Sequence, residues 1–278
     1  MNIFEFTGLV FAGSLTAGFL GSLTGMGGGV VIVPLLTLLL GVDIRYAIGA
    51  SLVSVIATSS GAAAAYVKEG FSNIRIGMFL EMATTQGALV GAIIAAMVPT
   101  PYIAVLFGMV LLYSAYLSVR PYPSQSDAEQ PDPLATRLRM DASYPGAQGP
   151  VGYHVHAVPM GYSLMFVAGA LSGLLGIGSG AVKVLAMDQA MHIPFKVSTT
   201  TSNFMIGVTA AASAGIYLNR GYIDPGLSMP VMLGVLIGSL LGARVLVGAR
   251  TRWLRLTFAA VILGLGLEMI YNGIMGKL

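Results

Sequence analysis

The sequence contains no cysteine, an absence that excludes disulfide bonds and thiolate metal sites but says nothing about the cellular compartment. Charge is also scarce, since Asp, Glu, Lys and Arg make up only 9% of the 278 residues while 56% are hydrophobic. A soluble domain cannot easily cover its water-facing surface with so few polar residues. The composition therefore argues against a soluble protein and predicts a chain whose main solvent is the lipid bilayer.

The formal net charge is +3, which raises the question of a nucleic-acid partner. The basic residues are, however, scattered through short loops and form no surface that combines aromatic and basic side chains, so no nucleic acid is expected. Histidine adds no site, because His154 and His156 fall in a polar stretch and His192 falls in a loop. No metal-ligand spacing emerges, and we expect neither a metal nor a cofactor.

Five apolar segments fill the first part of the chain. They cover residues 7–24, 29–40, 47–67, 76–98 and 102–119. A helix needs about 20 residues to cross a hydrocarbon core about 30 Å thick, so the second segment is too short to cross comfortably. No basic residue precedes the first segment and Glu5 stands where a signal peptide would be positive, so we expect this segment to belong to the mature protein.

The middle of the chain has a different composition. Residues 120–159 interrupt the apolar pattern with prolines, carboxylates and glycine-rich turns, which is typical of a solvent-exposed linker. Five further apolar segments follow, at residues 160–175, 177–191, 197–218, 227–247 and 253–273. The sequence thus predicts a first transmembrane repeat over residues 1–119, a polar linker over residues 120–159 and a second transmembrane repeat over residues 160–278.

The second set of segments repeats the first at a constant offset of 151 residues. Without any gap, this offset pairs Gly18 with Gly169, Gly25 with Gly176, Ser51 with Ser202, Tyr66 with Tyr217, Gly70 with Gly221 and Gly87 with Gly238. So ordered a series indicates an internal duplication, which transporters commonly use.

The basic residues of the loops indicate how the two halves are oriented. If each half crosses the membrane an odd number of times, nine of these residues share one side and three lie opposite, whereas an even number gives seven against five. The positive-inside rule favours the larger asymmetry. We therefore predict an all-α integral membrane protein of about 8–10 membrane segments, with two homologous halves as inverted repeats, a cytoplasmic linker and both chain ends outside. Three crossings plus a re-entrant hairpin, or five crossings, satisfy this count in each half.

Two glycine-rich runs interrupt apolar segments at corresponding places, Gly-Met-Gly-Gly-Gly at residues 25–29 and Gly-Ile-Gly-Ser-Gly at residues 176–180. Each glycine costs about 1 kcal/mol relative to alanine in a helix interior, so broken or re-entrant helices are expected here. Paired breaks in transporters indicate a substrate site, and half-helices that begin there would aim N–H groups at an anion. The alternative is close helix packing, the favoured interpretation for the Gly-x-x-x-Gly patterns at residues 87–91 and 238–242.

Polar residues inside the apolar segments extend the candidate site. Ser51, Ser202 and Asn203 either replace the hydration shell of a solute or bond back to their own helix. Lys183 lies one turn after the second break, where its ammonium would face the cavity; the alternatives are an ion pair with Asp188 or a lysine that snorkels to the interface. The candidate substrate-binding residues are Gly25, Gly27, Gly28, Gly29, Gly176, Gly178, Ser179, Gly180, Lys183, Ser51, Ser202 and Asn203.

Three other charged residues also fall within apolar segments. Glu81, Arg244 and Glu268 lie nearer the ends of their segments than Lys183 does. Because charged groups avoid the bilayer centre, we expect these three to be solvated at the interface.

Three motifs resemble those of a known family. They are Gly-Ser-Leu-Thr-Gly-Met-Gly-Gly-Gly from residue 21 with Pro34 behind it, Gly-Leu-Leu-Gly-Ile-Gly-Ser-Gly-Ala-Val-Lys from residue 173, and Thr-Ser-Asn-Phe-Met-Ile-Gly-Val-Thr-Ala-Ala from residue 201. Together they resemble the TauE/SafE family of sulfite exporters and related permeases, over residues 13–117 and 167–274 but not the linker. Two positions depart from the doubled motif, since Ser179 replaces its third glycine and Leu185 replaces the counterpart of Pro34.

The resemblance implies a multi-pass permease of the prokaryotic cytoplasmic membrane for sulfite, a sulfonate or a related sulfur-containing or organic anion. It does not identify the substrate, the direction of transport, a coupling proton or sodium ion, or the oligomeric state. We predict a secondary transporter and not an enzyme, because no nucleophile-base pair or metal cluster stands out. A passive anion channel is the alternative, and a membrane-embedded enzyme or assembly subunit ranks third. Paired breaks suit alternating access better than they suit a continuous pore.

Overall fold

A computed structural model describes residues 2–24, 28–68, 72–119, 132–146, 149–246 and 251–277. Within these residues the chain forms eleven α-helices and one two-stranded antiparallel hairpin. The first half contains α1 (Ile3–Thr24), α2 (Gly29–Pro34), α3 (Ile44–Lys68), α4 (Ile74–Ala95) and α5 (Thr100–Val119). Between the halves lie α6 (Pro133–Arg137), β1 (Ala142–Gly146) and β2 (Gly149–Tyr153). The second half contains α7 (Val158–Leu175), α8 (Gly180–Leu185), α9 (Phe195–Asn219), α10 (Pro225–Leu246) and α11 (Thr251–Ile274).

The structure is mostly helical, as the composition predicts. Among the described residues, α4 and α7 are long and apolar enough to cross a membrane by themselves. Shorter apolar stretches lie at Phe4–Leu20, Gly29–Leu39, Ile44–Ser59, Thr100–Tyr116, Pro225–Leu241 and Ala259–Ile274. These stretches fall in α1, in α2 with its continuation, and in α3, α5, α10 and α11.

Local sequence explains where several helices begin. Asn73 precedes α4 and its Oδ1 accepts a hydrogen bond from the Ile76 N–H at 3.1 Å, while Asp132 accepts one from the Leu134 N–H at 2.8 Å before α6. Such side chains satisfy N–H groups that have no partner within the helix. Proline occupies the first or second position of α5, α6, α7 and α10, where its missing N–H costs nothing.

The bounds of the helices repeat with the offset that the glycines predict. The helices α2, α3, α4 and α5 begin at residues 29, 44, 74 and 100, and α8, α9, α10 and α11 begin 151 residues later, at 180, 195, 225 and 251. The π-helical segments Leu35–Leu39 and Ala186–Ala190, which continue α2 and α8, follow the same offset. The π turn recurs where Leu185 replaces Pro34, so proline is not required for it.

The short helices run back along the helices that precede them. A Cβ added to Gly28 would lie 3.5 Å from the Cα of Gly18, and one added to Gly13 would lie 3.0 Å from the Leu35 side chain. Moving forward along α2 therefore means moving backward along α1. In the second half, a Cβ on Gly161 near the start of α7 would collide with Met191, which follows α8 and its π segment. In each half the short helix therefore runs antiparallel to the helix before it.

The fourth helix of each half packs against the other half. The helix α4 packs against α7 and α9, and α10 packs against α1 and α3. We call α1, α2, α3 and α10 the first bundle, and α4, α7, α8 and α9 the second bundle. The two bundles meet where α3 contacts α9, and α5 pairs with α11.

Glycine brings the backbones of paired helices into contact. A Cβ on Gly169 or Gly173 of α7 would overlap the carbonyl group of Thr84 or Ala88 in α4. Both residue numbers rise together along this contact, so α4 and α7 are parallel. By contrast α5 and α11 are antiparallel, because Gly108 faces Gly266 and Ile270 whereas Gly273 faces Pro101 and Val105. Three glycines of the patterns at 87–91 and 238–242 pack in the same way, since Gly87, Gly91 and Gly238 face the carbonyls of Phe166, Ala170 and Leu15.

Residues 132–146 and 149–157 form a folded element that we call the cap. Ala135, Met140 and Tyr153 are buried and belong to one apolar cluster with residues of α4, α7 and α9. Asn73, just before α4, donates to the Met140 carbonyl at 3.2 Å and to the Tyr153 hydroxyl at 2.7 Å. Burial raises the pKa of Tyr153, with the Asn73 hydrogen bond acting in the opposite direction, so the phenol stays protonated at neutral pH. This part of the predicted solvent-exposed linker is therefore packed against the helices.

The glycine contact between α4 and α7 predicts a stability difference between two alanine variants. A Cβ on Gly87 would overlap the Phe166 carbonyl, whereas nothing lies within 4 Å of the corresponding position at Gly264 of α11. We expect Gly87→Ala to lower the stability of the purified protein by about 1–3 kcal/mol, the usual cost of overpacking. Gly264→Ala is the matched control and should unfold at or above the wild-type temperature, because alanine has the higher helix propensity and its Cβ meets nothing there. Equal melting temperatures of the two variants in detergent would contradict the packing interpretation.

Candidate functional site

The second glycine-rich break has a backbone that only a few residue types adopt readily. Gly176, Gly178 and Ser179 have φ angles of 69°, 70° and 45°, all in the left-handed region. Glycine carries no penalty there, whereas Ser179 stores strain of about 1 kcal/mol. The chain therefore leaves α7 at Gly176 and enters α8 at Gly180 through a turn that cannot be helical.

The two breaks approach each other between the halves. The hydroxyl of Ser51, in α3, donates to the carbonyl oxygen of Gly176 at 2.7 Å. Gly29, the first residue of α2, lies beside this bond, because an added Cβ would be 2.7 Å from Ser51 Oγ and 3.2 Å from the Gly176 oxygen. The structure thus brings together Ser51, Gly29 and Gly176, which the sequence predicted separately as site residues.

One face of α9 lines the other side of the second break. The Ser202 hydroxyl donates to the Gly180 carbonyl at 3.4 Å. Ile206, one turn later, approaches Gly178, whose added Cβ would lie 2.9 Å from the Ile206 side chain. Thr209 follows on the same face and accepts a hydrogen bond from Lys183 at 2.5 Å. The break and the start of α8 are therefore held along a single stripe of α9.

Lys183 is a fully buried cation, with 0% of its surface exposed. Its ammonium has three N–H donors, and Thr209 Oγ1 is its hydrogen-bond acceptor among the described residues. The alternative in which Lys183 snorkels to the interface is therefore wrong, since no part of its side chain reaches the surface. The predicted ion pair with Asp188 is also wrong: Asp188 is partly exposed in the π segment and forms no ion pair with Lys183 in the described chain.

The structure also corrects the position of Glu81. This residue was expected at the interface, but only 7% of its surface is exposed. Its Oε1 accepts hydrogen bonds from Thr209 Oγ1 at 2.7 Å and from Thr85 Oγ1 at 3.1 Å. Glu268 is exposed on α11, and the side chain of Arg244 lies outside the described residues.

The remaining predicted site residues contribute less. Gly25 and Gly27 lie outside the described residues. Gly28 precedes α2, and its carbonyl accepts hydrogen bonds from the N–H groups at residues 31 and 32. Asn203 is partly exposed on α9 and, within the described part of the chain, is not joined to the other candidates by a hydrogen bond. The Ser179 hydroxyl is buried and has no hydrogen-bond partner among the described residues.

A sequence profile described as "Sulfite exporter TauE/SafE" matches residues 10–269 of the chain. The chain belongs to the TauE/SafE sulfite exporter family. This confirms the resemblance that the glycine-rich motifs carry. No solved structure matches this TauE/SafE protein.

Curated relatives of this TauE/SafE protein are named as transporters. It is 29% identical to the "Probable membrane transporter protein YunE" of Bacillus subtilis, covering 94% of this chain and 96% of that protein. It is 26% identical to the "Probable membrane transporter protein YdhB" of the same organism, covering 85% and 87%. An archaeal relative, MJ0441 of Methanocaldococcus jannaschii, is 23% identical over 91% of each chain and carries the same description. The family is thus one of multi-pass transporters of the cell membrane.

Sequence reasoning missed Glu81, Thr84 and Thr209. In α4, Glu81 is followed by Thr84 and Thr85 at i+3 and i+4, so these three polar side chains share one helix face. This spacing could have indicated a polar site on α4. Position within the apolar segment was a poor guide, because the start of α4 packs against the cap, α7 and α9, and Glu81 is buried although it looked terminal.

The hydrogen bond between the two halves predicts a difference between two serines of α3. Ser51→Ala leaves the Gly176 carbonyl oxygen without its donor, at a cost of about 1–3 kcal/mol for an unsatisfied buried group. Ser54 donates to the Ser51 carbonyl of its own helix, an oxygen that keeps its helical N–H partner, so Ser54→Ala is the matched control with a smaller cost. Thermal unfolding in detergent separates the two. A melting temperature for Ser51→Ala at or above that of Ser54→Ala would show that this bond does not hold the halves together.

Proposed function

We propose that this TauE/SafE protein is a secondary transporter that carries a small anion, and that the anion binds beside Lys183 where the two glycine-rich breaks meet. The observation that carries the proposal is the Lys183 ammonium, which is fully buried yet has one hydrogen-bond acceptor among the described residues. A buried charge with unused donors is costly unless a ligand of opposite charge completes its shell. An anion supplies that charge and those acceptors.

Sulfite, a sulfonate or a related small sulfur-containing or organic anion is the proposed substrate class. The family description supports this class. The Ser179 hydroxyl supports it as well, because it is a neutral donor, buried without a partner among the described residues, four positions before Lys183. Oxyanions have several acceptor oxygens and can accept from an ammonium and a hydroxyl at once.

Inverted repeats support alternating access as the mechanism. The starts of α4 and α9 lie at the same face, because the Asn73 N–H donates to Thr201 Oγ1 at 3.1 Å, and α7 begins there directly after the cap. Their counterparts α1, α3 and α10 begin at the opposite face, where Gly49 of α3 approaches Tyr222 just before α10. These contacts support the proposal that equivalent helices of the two halves run in opposite directions, as expected of inverted repeats whose two bundles rock about a central site.

Transport is tested by reconstitution of the purified protein into liposomes. Labelled sulfite and a panel of short sulfonates and carboxylates would be assayed for uptake and for counterflow against the same anion trapped inside. Saturable uptake accelerated by trapped anion is the expected result for a transporter. Uptake that shows neither saturation nor counterflow would favour the passive channel, and no uptake of any panel anion would contradict the proposed function.

Substitution of Lys183 should weaken anion binding more than it affects folding. Lys183→Gln removes the charge but keeps a donor to Thr209, so we expect an apparent affinity at least about tenfold lower, the effect of losing a charge-assisted hydrogen bond. Lys183→Arg keeps the charge and should retain part of the uptake. Counterflow kinetics give the affinity, and thermal unfolding checks the fold. If Lys183→Gln has wild-type affinity, the ammonium does not contact substrate.

The inverted arrangement predicts that the cap and the C-terminus lie on opposite sides of the membrane. Because the chain contains no cysteine, each introduced cysteine is unique. In intact cells, an impermeant maleimide should label Lys277→Cys at the end of the chain, and should label Val151→Cys in the cap only after permeabilisation. Both residues are exposed, so access does not limit either reaction. Labelling of both variants in sealed cells would contradict inversion.

A further inference from the structure

We propose that Glu81 is the proton-binding residue of this protein, and that one proton crosses the membrane with each anion that Lys183 binds. The inference rests on the proposed function, because it assigns the coupling chemistry of the same site. It identifies the coupling ion as a proton and places it on a carboxyl group of α4.

Glu81 and Lys183 face each other across a single hydroxyl. The Lys183 ammonium donates to Thr209 Oγ1 at 2.5 Å and this hydroxyl donates to Glu81 Oε1 at 2.7 Å, so the two charged groups are at most about 5.2 Å apart. Opposite charges at this separation attract each other strongly where water is excluded. Without an anion, the ammonium and the carboxylate are therefore each other's counter-charge.

One oxygen of the Glu81 carboxylate is left unsatisfied. Oε1 accepts from Thr209 and from Thr85, whereas Oε2 is buried and has no hydrogen-bond partner among the described residues. A buried carboxylate oxygen without a donor is costly as long as it carries charge. Oε2 is thus the atom at which a bound proton relieves that cost.

The other titratable groups on the elements that contact α4 belong to the cap, to α7 and to α9, and Arg139, Asp141 and Tyr153 of the cap lie beside residues 72–75, before the first full turns of α4. Tyr162 of α7 packs against Phe79, which points about 200° around the helix axis from residue 81. The remaining groups of α9 and its end are Lys196, Tyr217 and Arg220. Lys196 is in the first turn of α9, and Arg220 donates to the Ala92 carbonyl at the far end of α4. Lys183 is accordingly the charged group that reaches Glu81 through hydrogen bonds in the described part of the chain.

The charged pair is present in the second bundle only, although Glu81 comes from the first half of the chain and Lys183 from the second. At the offset of 151 residues, the counterparts of Lys183, Glu81 and Thr209 are Ile32, Met232 and Thr58. The helices α2 and α10, which carry Ile32 and Met232, begin and end at positions that correspond to those of α8 and α4 at the offset of 151 residues. The scaffold therefore forms these helices without the charged pair, and intramembrane charges that the fold does not require indicate a functional site.

Anion binding and proton binding are linked through the single ammonium. When an anion binds Lys183, the site contains two negative charges and one positive charge in a medium of low dielectric constant, an arrangement that disfavours the Glu81 carboxylate. A proton on Oε2 restores neutrality, so each ligand strengthens binding of the other by the same factor. A monovalent anion and a proton then cross together without net charge.

Methanesulfonate in proteoliposomes is the probe, because its sulfonate does not titrate near neutral pH and any pH effect must come from the protein. For the wild-type protein we expect the apparent affinity to rise at least about fivefold from about pH 8 to about pH 6, the lower end of the usual coupling between two sites. A pH-sensitive dye trapped inside should report one proton entering per anion, and an imposed membrane potential should not drive the uptake.

Glu81→Gln keeps the size of the side chain and removes the titration. Whatever exchange rate this variant retains, its affinity should change less than about twofold over the same pH interval, and its uptake should respond to membrane potential. Glu268→Gln, an exposed glutamate of α11, is the matched control and should keep the wild-type pH dependence.

The outcomes separate this inference from the proposed function. Wild-type counterflow without any pH dependence or proton entry would overturn the assignment of Glu81 and leave anion transport standing. Absence of counterflow with every anion of the panel would contradict both. If Glu81→Gln does not fold, proton entry and pH dependence in the wild-type protein still test whether a proton is coupled to the anion. Glu81→Asp then tests the residue, because it retains a titratable carboxyl group and should keep proton entry coupled to the anion.

Discussion

The structure depends on one constraint: backbone polar groups buried in a bilayer must find hydrogen-bond partners within the protein. The hydrogen bond from the Ser51 hydroxyl to the Gly176 carbonyl oxygen satisfies this constraint at the second break. Backbone that is not helical leaves its polar groups unpaired, and inside a bilayer no water is available to pair them. The left-handed turn at Gly176, Gly178 and Ser179 is such a backbone, and it persists because α3 and α9 supply serine hydroxyls to it. The break therefore cannot exist in one half alone, since its partner Ser51 belongs to the other.

Glycine determines which helices pack backbone to backbone. Backbone contacts such as Gly173 against the Ala88 carbonyl leave no room for a side chain and lock α4 to α7, although these helices come from different halves. Close backbone packing of this kind is strong in membranes, where helix association depends on van der Waals contact. The duplication thus yields two bundles that each contain helices of both halves, with the substrate site proposed at the seam between α3 and α9.

Much of this arrangement could be predicted because it has a sequence period. The offset that pairs Gly25 with Gly176 also gives the bounds of the helices, and the breaks follow from glycine's poor helix propensity. The pairing of Lys183 with Thr209 and Glu81 could not be predicted, because it joins three helices and no local pattern encodes which faces meet. The cap was missed for the opposite reason: its folding depends on Asn73 and on buried residues of α4 rather than on any periodicity of its own.

The charged residues lie on one side of the contact between α3 and α9, and this location affects the energy barrier of the proposed transport cycle. Lys183, Thr209 and Glu81 all lie in the second bundle, whereas the bond from Ser51 to Gly176 joins the two bundles. Separating a buried charged pair costs about 3–5 kcal/mol, but exchanging one neutral hydrogen bond for another costs about 1 kcal/mol net. A rocking motion that opens the seam and keeps the charged chain intact therefore avoids the larger cost. The anion and the proton would travel with the second bundle, and the neutral serine contact would be the one that breaks and reforms.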